Sequence, residues 1–138
     1  MKKNGFTLVE LLGVIVVLAI VSGLVVVSIT GVIGTSKNSV YLSYEKSFKS
    51  SVENYFIDNN NLIPNAGSSK KIYLKDMISN GYIEEIKDPN GGNCNISSNN
   101  SYVLVTRPSS DTNNYKLDYK TCLICKKGSI ETYKSSTC

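Results

Sequence analysis

The chain has 138 residues, 41% of them hydrophobic, with 15 basic and 11 acidic side chains and a net charge of +4. That length suits one small domain. Setting aside Lys2 and Lys3 leaves thirteen basic residues against eleven acidic, too mild an excess to mark a nucleic-acid binder on electrostatics alone. There is no His, which excludes His-based acid–base catalysis and His metal sites.

The apolar residues are unevenly spread. From Phe6 to Ile33 the only charge is Glu10, whereas the rest of the chain is rich in Asn, Ser, Lys and Tyr. Lys2 and Lys3 precede the apolar run, which places positive charge on the cytoplasmic side of a membrane. At about 1.5 Å per residue the run makes roughly 42 Å of helix, and about 20 residues are enough to cross a bilayer. It is too long for an ordinary secretory signal, and no small-residue cleavage site follows it. Glu10 is the anomaly. A carboxylate within such a segment costs roughly 2.5–3.5 kcal/mol on insertion scales and marks a function with a partner. No basic side chain lies between Lys3 and Lys37, but a newly made α-amino group nearby would serve.

The stretch Lys2-Lys3-Asn4-Gly5-Phe6-Thr7-Leu8-Val9-Glu10-Leu11-Leu12 resembles the signal of type IV prepilins and pseudopilins. The resemblance implies cleavage between Gly5 and Phe6 by a prepilin peptidase, N-methylation of Phe6, and pairing of Glu10 with the N-terminal amine of a neighbouring subunit as subunits enter a filament. It divides the chain into a leader at 1–5, a hydrophobic transmembrane and filament-core helix at 6–34, and a globular head at 35–138. The chain departs from many family members in having Val27 where they carry Pro; its small residues here are Gly23, Gly31 and Gly34. These either let the helix bend, since Gly weakens a helix by about 1 kcal/mol relative to Ala, or merely permit close helix packing.

Beyond Gly34, Tyr41, Tyr44, Phe48, Val52 and Tyr55 recur at spacings of three and four, an amphipathic helical face. Asp58 to Asn61 and Pro64 end it, so one helix is expected from Phe6 to near Ile57. Residues 65–72 read as a loop, and Leu74–Asn80 as a short helix capped by Gly81. Asp88-Pro89-Asn90-Gly91-Gly92 is a strong turn signal; in related pilins and pseudopilins a loop with similar residues joins helix to sheet. Strands are expected at Ser101–Arg107, at Tyr115–Cys122 and, more weakly, at Ser129–Lys134, with a turn at Ser109–Asn114. In the second, Tyr115, Leu117, Tyr119 and Thr121 alternate with Lys116, Asp118 and Lys120, the mark of a half-buried strand. The fold class is α+β: a long N-terminal helix, transmembrane and then amphipathic, packed on a three- or four-stranded antiparallel sheet, which fits the architecture of the family.

Cys94, Cys122, Cys125 and Cys138 allow three full pairings. A zinc site would want a second C-x-x-C, and a thioredoxin-like site would want a helix after the first Cys; strands are expected here. Structural disulfides need only proximity and suit an oxidising compartment. The favoured pairing is Cys94–Cys122, tying the loop to the sheet, with Cys125–Cys138 pinning the C-terminus.

The resemblance implies a structural subunit of a type IV pilus serving adhesion, motility or aggregation. The alternative is a pseudopilin of a secretion or DNA-uptake system. A type II secretion major pseudopilin usually carries a calcium-binding C-terminal loop, and the isolated Asp111 and Asp118 make no dense carboxylate cluster there, which leans toward a pilus. No nucleophile–base pair supports an enzyme, and no catalytic, cofactor or metal residue is assigned. The implied partners are further copies and other pilins, a prepilin peptidase, a membrane platform protein and assembly ATPase, and the lipid bilayer before assembly. The implied location is the cytoplasmic membrane and then a surface filament. Tyr73, Tyr82, Tyr102, Tyr115, Tyr119 and Tyr133 beside several Lys could stack bases, but filling strand faces is the preferred reading, so nucleic acid is a possible partner and not the favoured one.

Overall fold

With no Pro before Pro64 to interrupt it, the N-terminal half of the chain forms one helix, α1, over Leu8–Asp58. It begins two residues later than expected and ends one residue beyond Ile57. The structure, a computed structural model, describes residues 5–95, 101–111 and 116–138, with the side chains of 23–33 also outside the description. The chain divides into two units, Met1–Ser39 and Val40–Cys138.

In the first unit, every large apolar side chain from Phe6 to Val21 is at least half exposed, from 50% at Val14 to 84% at Phe6. Among the described residues no helix is long and apolar enough to cross a membrane. The apolar run read from the sequence continues through 23–33, whose side chains lie outside the described residues, as do Gly23 and Gly31.

In the second unit, α1 presents the expected stripe. Tyr41, Phe48, Val52 and Phe56 are buried, while Tyr44 and Tyr55 pack partly buried against the same core. The helix stops where Asn59 folds back on it, both its backbone N–H and its side-chain amide donating to the Tyr55 carbonyl. A 3-10 turn follows at Asn60–Leu62.

The remaining elements are β1 (Ser69–Tyr73), α2 (Leu74–Ser79), β2 (Tyr102–Thr106), β3 (Asp118–Cys122), β4 (Ile124–Lys127) and β5 (Ile130–Lys134). Strands β1, β2 and β3 form an antiparallel sheet in that order, and β4 with β5 forms a separate antiparallel pair. Ile72 and Thr121 flank Val103 across the ladder, so these buried residues share the face that meets the helix stripe. The architecture is thus a long N-terminal helix packed on a small antiparallel sheet, as expected.

Three readings need correction. Residues 69–72 are strand and not loop; the Ser-Lys-Lys-Ile-Tyr segment lacks an apolar alternation because only Ile72 is buried on this edge strand. The single sheet is two, because the chain leaves β3 at Cys122, buries Leu123 completely, and begins β4 at Ile124. The strand expected from Tyr115 is described only as Asp118–Cys122, and residues 112–115, with the end of the predicted turn, lie outside the described residues. The remaining turns follow their sequence signals: Gly81 has φ +78° after α2, and Gly128 has φ +63° between β4 and β5.

The Asp88 turn joins the head's elements. Asn90 N–H donates to Asp88 Oδ1 at 2.8 Å, and Gly91 N–H to the Asp88 carbonyl at 2.9 Å. Gly92 is required by space: a Cβ there would lie 2.3 Å from Asp88 Oδ2 and 2.8 Å from the Lys126 carbonyl. The Tyr41 hydroxyl of α1 and the Thr132 hydroxyl of β5 both donate to the Asp88 carboxylate. Tyr41 stacks on Tyr133 with centroids 3.9 Å apart, and Tyr133 donates to Glu45 at 2.7 Å. Burial and then the nearby carboxylates push the Tyr41 and Tyr133 hydroxyls up to about 12. Burial pushes the Asp88 carboxyl up, but hydrogen bonds from Thr132, Tyr41 and the backbone N–H groups of Asn90 and Gly92 outweigh it and hold the group below its ordinary value of 3.8.

A depressed folded-state value means that the stabilisation is complete above the unfolded value and is lost as pH falls through the folded one. Unfolding midpoints measured from pH 6 to pH 2 are expected to decline below about pH 4. Asp88→Asn is expected to lose roughly 1–3 kcal/mol at neutral pH and to show a shallower acid decline. An unchanged acid limb in that variant would remove Asp88 as the linked group.

Candidate functional site

The N-terminal site begins at Gly5 and Phe6, both exposed ahead of the helix. Nothing lies within 4 Å of where a Gly5 Cβ would stand. Thr7 then caps the start of α1. Its carbonyl accepts from Leu11 N–H at 3.2 Å, and its Oγ1 accepts from Glu10 N–H at 3.3 Å. Glu10 reaches back: its Oε2 accepts from Thr7 N–H at 2.9 Å and from the Thr7 hydroxyl at 2.8 Å. This reciprocal capping box satisfies two donors that a helix start otherwise leaves open. Its signal, Thr-x-x-Glu before an apolar run, stands in the sequence; the partner that Glu10 finds in its own chain is a pair of neutral donors and not a positive charge.

Glu10 therefore has a partner in its own chain, and Oε2 is committed to Thr7. Oε1 takes no hydrogen bond among the described residues. Around it Phe6, Leu8, Val9 and Leu11 are 61–84% exposed. A helix that is apolar all round has no aqueous face to present, and at about 25 cal/mol per Å² such a surface favours any arrangement that removes it from water. Farther along, the Ser22 hydroxyl is satisfied internally, donating to the Leu18 carbonyl at 2.7 Å.

The four Cys form two disulfides, Cys94–Cys125 and Cys122–Cys138. This overturns the expected pairing of Cys94 with Cys122 and of Cys125 with Cys138. The reason is the change of sheet within the C-x-x-C. Cys125 belongs to the buried core cluster, as does Cys94, and Cys122 does not. Asn93 and Lys126 exchange backbone hydrogen bonds at 2.8 and 2.9 Å, which sets their neighbours Cys94 and Cys125 side by side. The C-terminal tail lies along the end of β3: Ser135 N–H donates to the Leu123 carbonyl at 3.0 Å, and the Thr137 hydroxyl donates to the Thr121 carbonyl. Cys138 is thereby delivered to Cys122.

The two isolated acids of the sequence reading stay apart in role. Asp111 is buried and paired with Arg107 at 3.2 Å, and Asp118 is exposed on β3. Of the Tyr residues, Tyr119 and Tyr133 pack partly buried against the core, Tyr82 donates to Asp58 at 3.0 Å, and Tyr73 meets Tyr102 edge-on across β1 and β2. Tyr115 lies outside the described residues.

The family model for the prokaryotic N-terminal methylation motif matches residues 1–26. No curated protein matches the chain, and no solved structure does. The matched segment takes in Gly5, Phe6, the capping box and most of the exposed apolar run. Residues 1–26 thus carry the N-terminal methylation motif, the type IV prepilin signal, and the helix-and-sheet architecture behind it is consistent with a pilin fold.

Proposed function

We propose that the chain is a structural subunit of a type IV pilus. It enters the cytoplasmic membrane as a prepilin, is cut between Gly5 and Phe6 and methylated on Phe6 by a prepilin peptidase, and polymerises through residues 6–34 into a surface filament. The observation that carries this reading is the conjunction at the N-terminus: an apolar helical surface exposed on all sides with one carboxylate held in place by Thr7. In the membrane lipid covers that surface; in the filament the same surfaces of other copies cover it. Glu10 Oε1 is then available to the Phe6 amine of a neighbouring subunit, which neutralises both charges in an apolar setting. The head, stapled by two disulfides, faces the oxidising exterior. Extension and retraction fall to a membrane platform protein and its ATPase.

The test is the state of the mature protein and the fate of the fibres. The chain recovered from sheared surface fibres is expected to begin at Phe6 and to be heavier by one methyl group. Gly5→Glu is expected to retain the leader and to hold the full-length chain in the membrane, read as a shift on an immunoblot. Wild-type protein that keeps Met1 to Gly5 overturns the proposal. Loss of export or transformation on deletion, with fibres intact, would assign the chain to a secretion or DNA-uptake pseudopilus instead.

A further inference from the structure

In the second unit a groove runs between α1 and β3, one of the two edge strands of the three-stranded sheet. It consists of two hollows of about 530 and 220 Å³ that share Tyr119 in their walls. Leu42 and Ile57, 55% and 69% exposed, stand toward its two ends. The smaller hollow gathers Lys46, Lys49 and Lys120, all exposed. Lys49 lies 5.6 Å from the Tyr119 ring centroid and 3.7 Å from Glu53; Lys46 and Lys120 form no ion pair among the described residues. Glu45 also lines this hollow, but its Oε1 is engaged by Tyr133 and Ser135. The groove thus combines an apolar floor with a surplus of positive charge at one end.

On the same chain, Glu84 and Glu85 are the only two acidic residues adjacent in sequence. Both are exposed on the irregular segment after α2, beside half-buried Ile83. Neither forms an ion pair or hydrogen bond among the described residues, and neither lines the groove. One molecule therefore carries a basic hollow and, outside its lining, an exposed acidic pair.

We propose that the Lys46–Lys49–Lys120 end of the groove receives the Glu84–Glu85 segment of a second copy of this chain. Because the two surfaces differ, the contact is head-to-tail, and such a contact propagates into an open helical array instead of closing a dimer. The inference rests on the filament reading and adds to it a contact between heads, separate from the N-terminal helix. Opposite charge at the rim would set register and exclude other docking positions more than it would add affinity.

The test uses the full chain expressed in cells, with charge reversal and rescue. Lys46→Glu with Lys120→Glu, and separately Glu84→Lys with Glu85→Lys, are each expected to lower the protein recovered in sheared fibres roughly tenfold. Combining all four substitutions is expected to restore most of it. Carbodiimide treatment of wild-type fibres is expected to join a groove Lys to Glu84 or Glu85 between copies. Fibre levels untouched by either reversal overturn the contact and leave the filament reading standing. So does loss on both reversals without rescue. Normal fibres with lost DNA retention in the Lys46/Lys120 variant would assign the groove to a polyanion and overturn the proposal. Wild-type protein that is processed at Gly5 but absent from every fibre overturns the filament reading and this contact together.

Discussion

Glu10→Ala is expected to leave the chain inserted and cut after Gly5 while lowering its incorporation into fibres by at least about tenfold. The direction follows from two opposed effects. Removing a carboxylate from an apolar segment favours insertion by roughly 2.5–3.5 kcal/mol. Removing one member of a desolvated charge pair leaves the partner amine unpaired, a loss of about 2–5 kcal/mol for each subunit contact. Insertion is therefore neutral or improved, and assembly is impaired. The capping box supplies the control. Thr7→Ala deletes the hydroxyl's two hydrogen bonds with Glu10 but keeps the carboxylate, at about 1 kcal/mol of helix stability, so its fibre level is expected to stay near wild type. The measurement is the ratio of fibre-bound to membrane-bound chain on an immunoblot. Equal losses in the two variants would mean that Glu10 acts as a helix cap and not as the partner of an amine.

Removing the Cys94–Cys125 disulfide, by Cys94→Ala with Cys125→Ala, is expected to be the more damaging of the two disulfide deletions. It closes a separation of 31 residues, against 16 for Cys122–Cys138. In the chain-entropy account the losses are roughly 3–4 kcal/mol, slightly larger for the longer loop. Both Cys94 and Cys125 are buried, 2% and 0% exposed, whereas the other bridge joins buried Cys122 to exposed Cys138, so removing the first leaves the larger void in packed surroundings, whose cost adds to the entropic loss. For a head of this size the combined effect is a fall of roughly 15–25 °C in Tm, followed by circular dichroism of the full chain in detergent. The shorter Cys122–Cys138 bridge is expected to cost less and chiefly to free the C-terminal tail. A larger loss on removing that bridge would contradict this order. Peptide mapping without reduction checks the connectivity, and a peptide joining Cys94 to Cys122 would contradict it.

The prepilin reading was open in the chain itself because the signal is local. Basic leader, Gly5, Phe6, Glu10 and the apolar run lie within a stretch that needs no folding to be recognised. The helix and its stripe were equally open, since a period of 3.6 makes Tyr41, Phe48 and Val52 neighbours whatever they later touch. Glycine-marked turns at Gly81, Gly91 and Gly128 followed from positive φ, a demand the backbone makes at one position. The capping box was also present in the letters, as Thr-x-x-Glu ahead of an apolar run, but its donors on Thr7 are neutral, whereas a carboxylate in an apolar segment points first to a cation.

Only the tertiary structure decided the rest. A strand such as β1 exists because β2 lies beside it, and Ser69–Tyr73 buries just one side chain fully to announce itself. The disulfides depend on which thiols the chain reversal at Leu123 turns into the core and which it leaves toward the tail, a matter of three-dimensional path that spacing does not encode. The same holds for the groove: Lys46 and Lys49 share a helix with each other, but they meet Lys120 only because β3 packs alongside α1. Local signals determined the prepilin-type N-terminus, because they act within a turn or two of chain. Long-range packing determined how the head is stapled and where its groove lies, because those contacts join residues that the sequence keeps far apart.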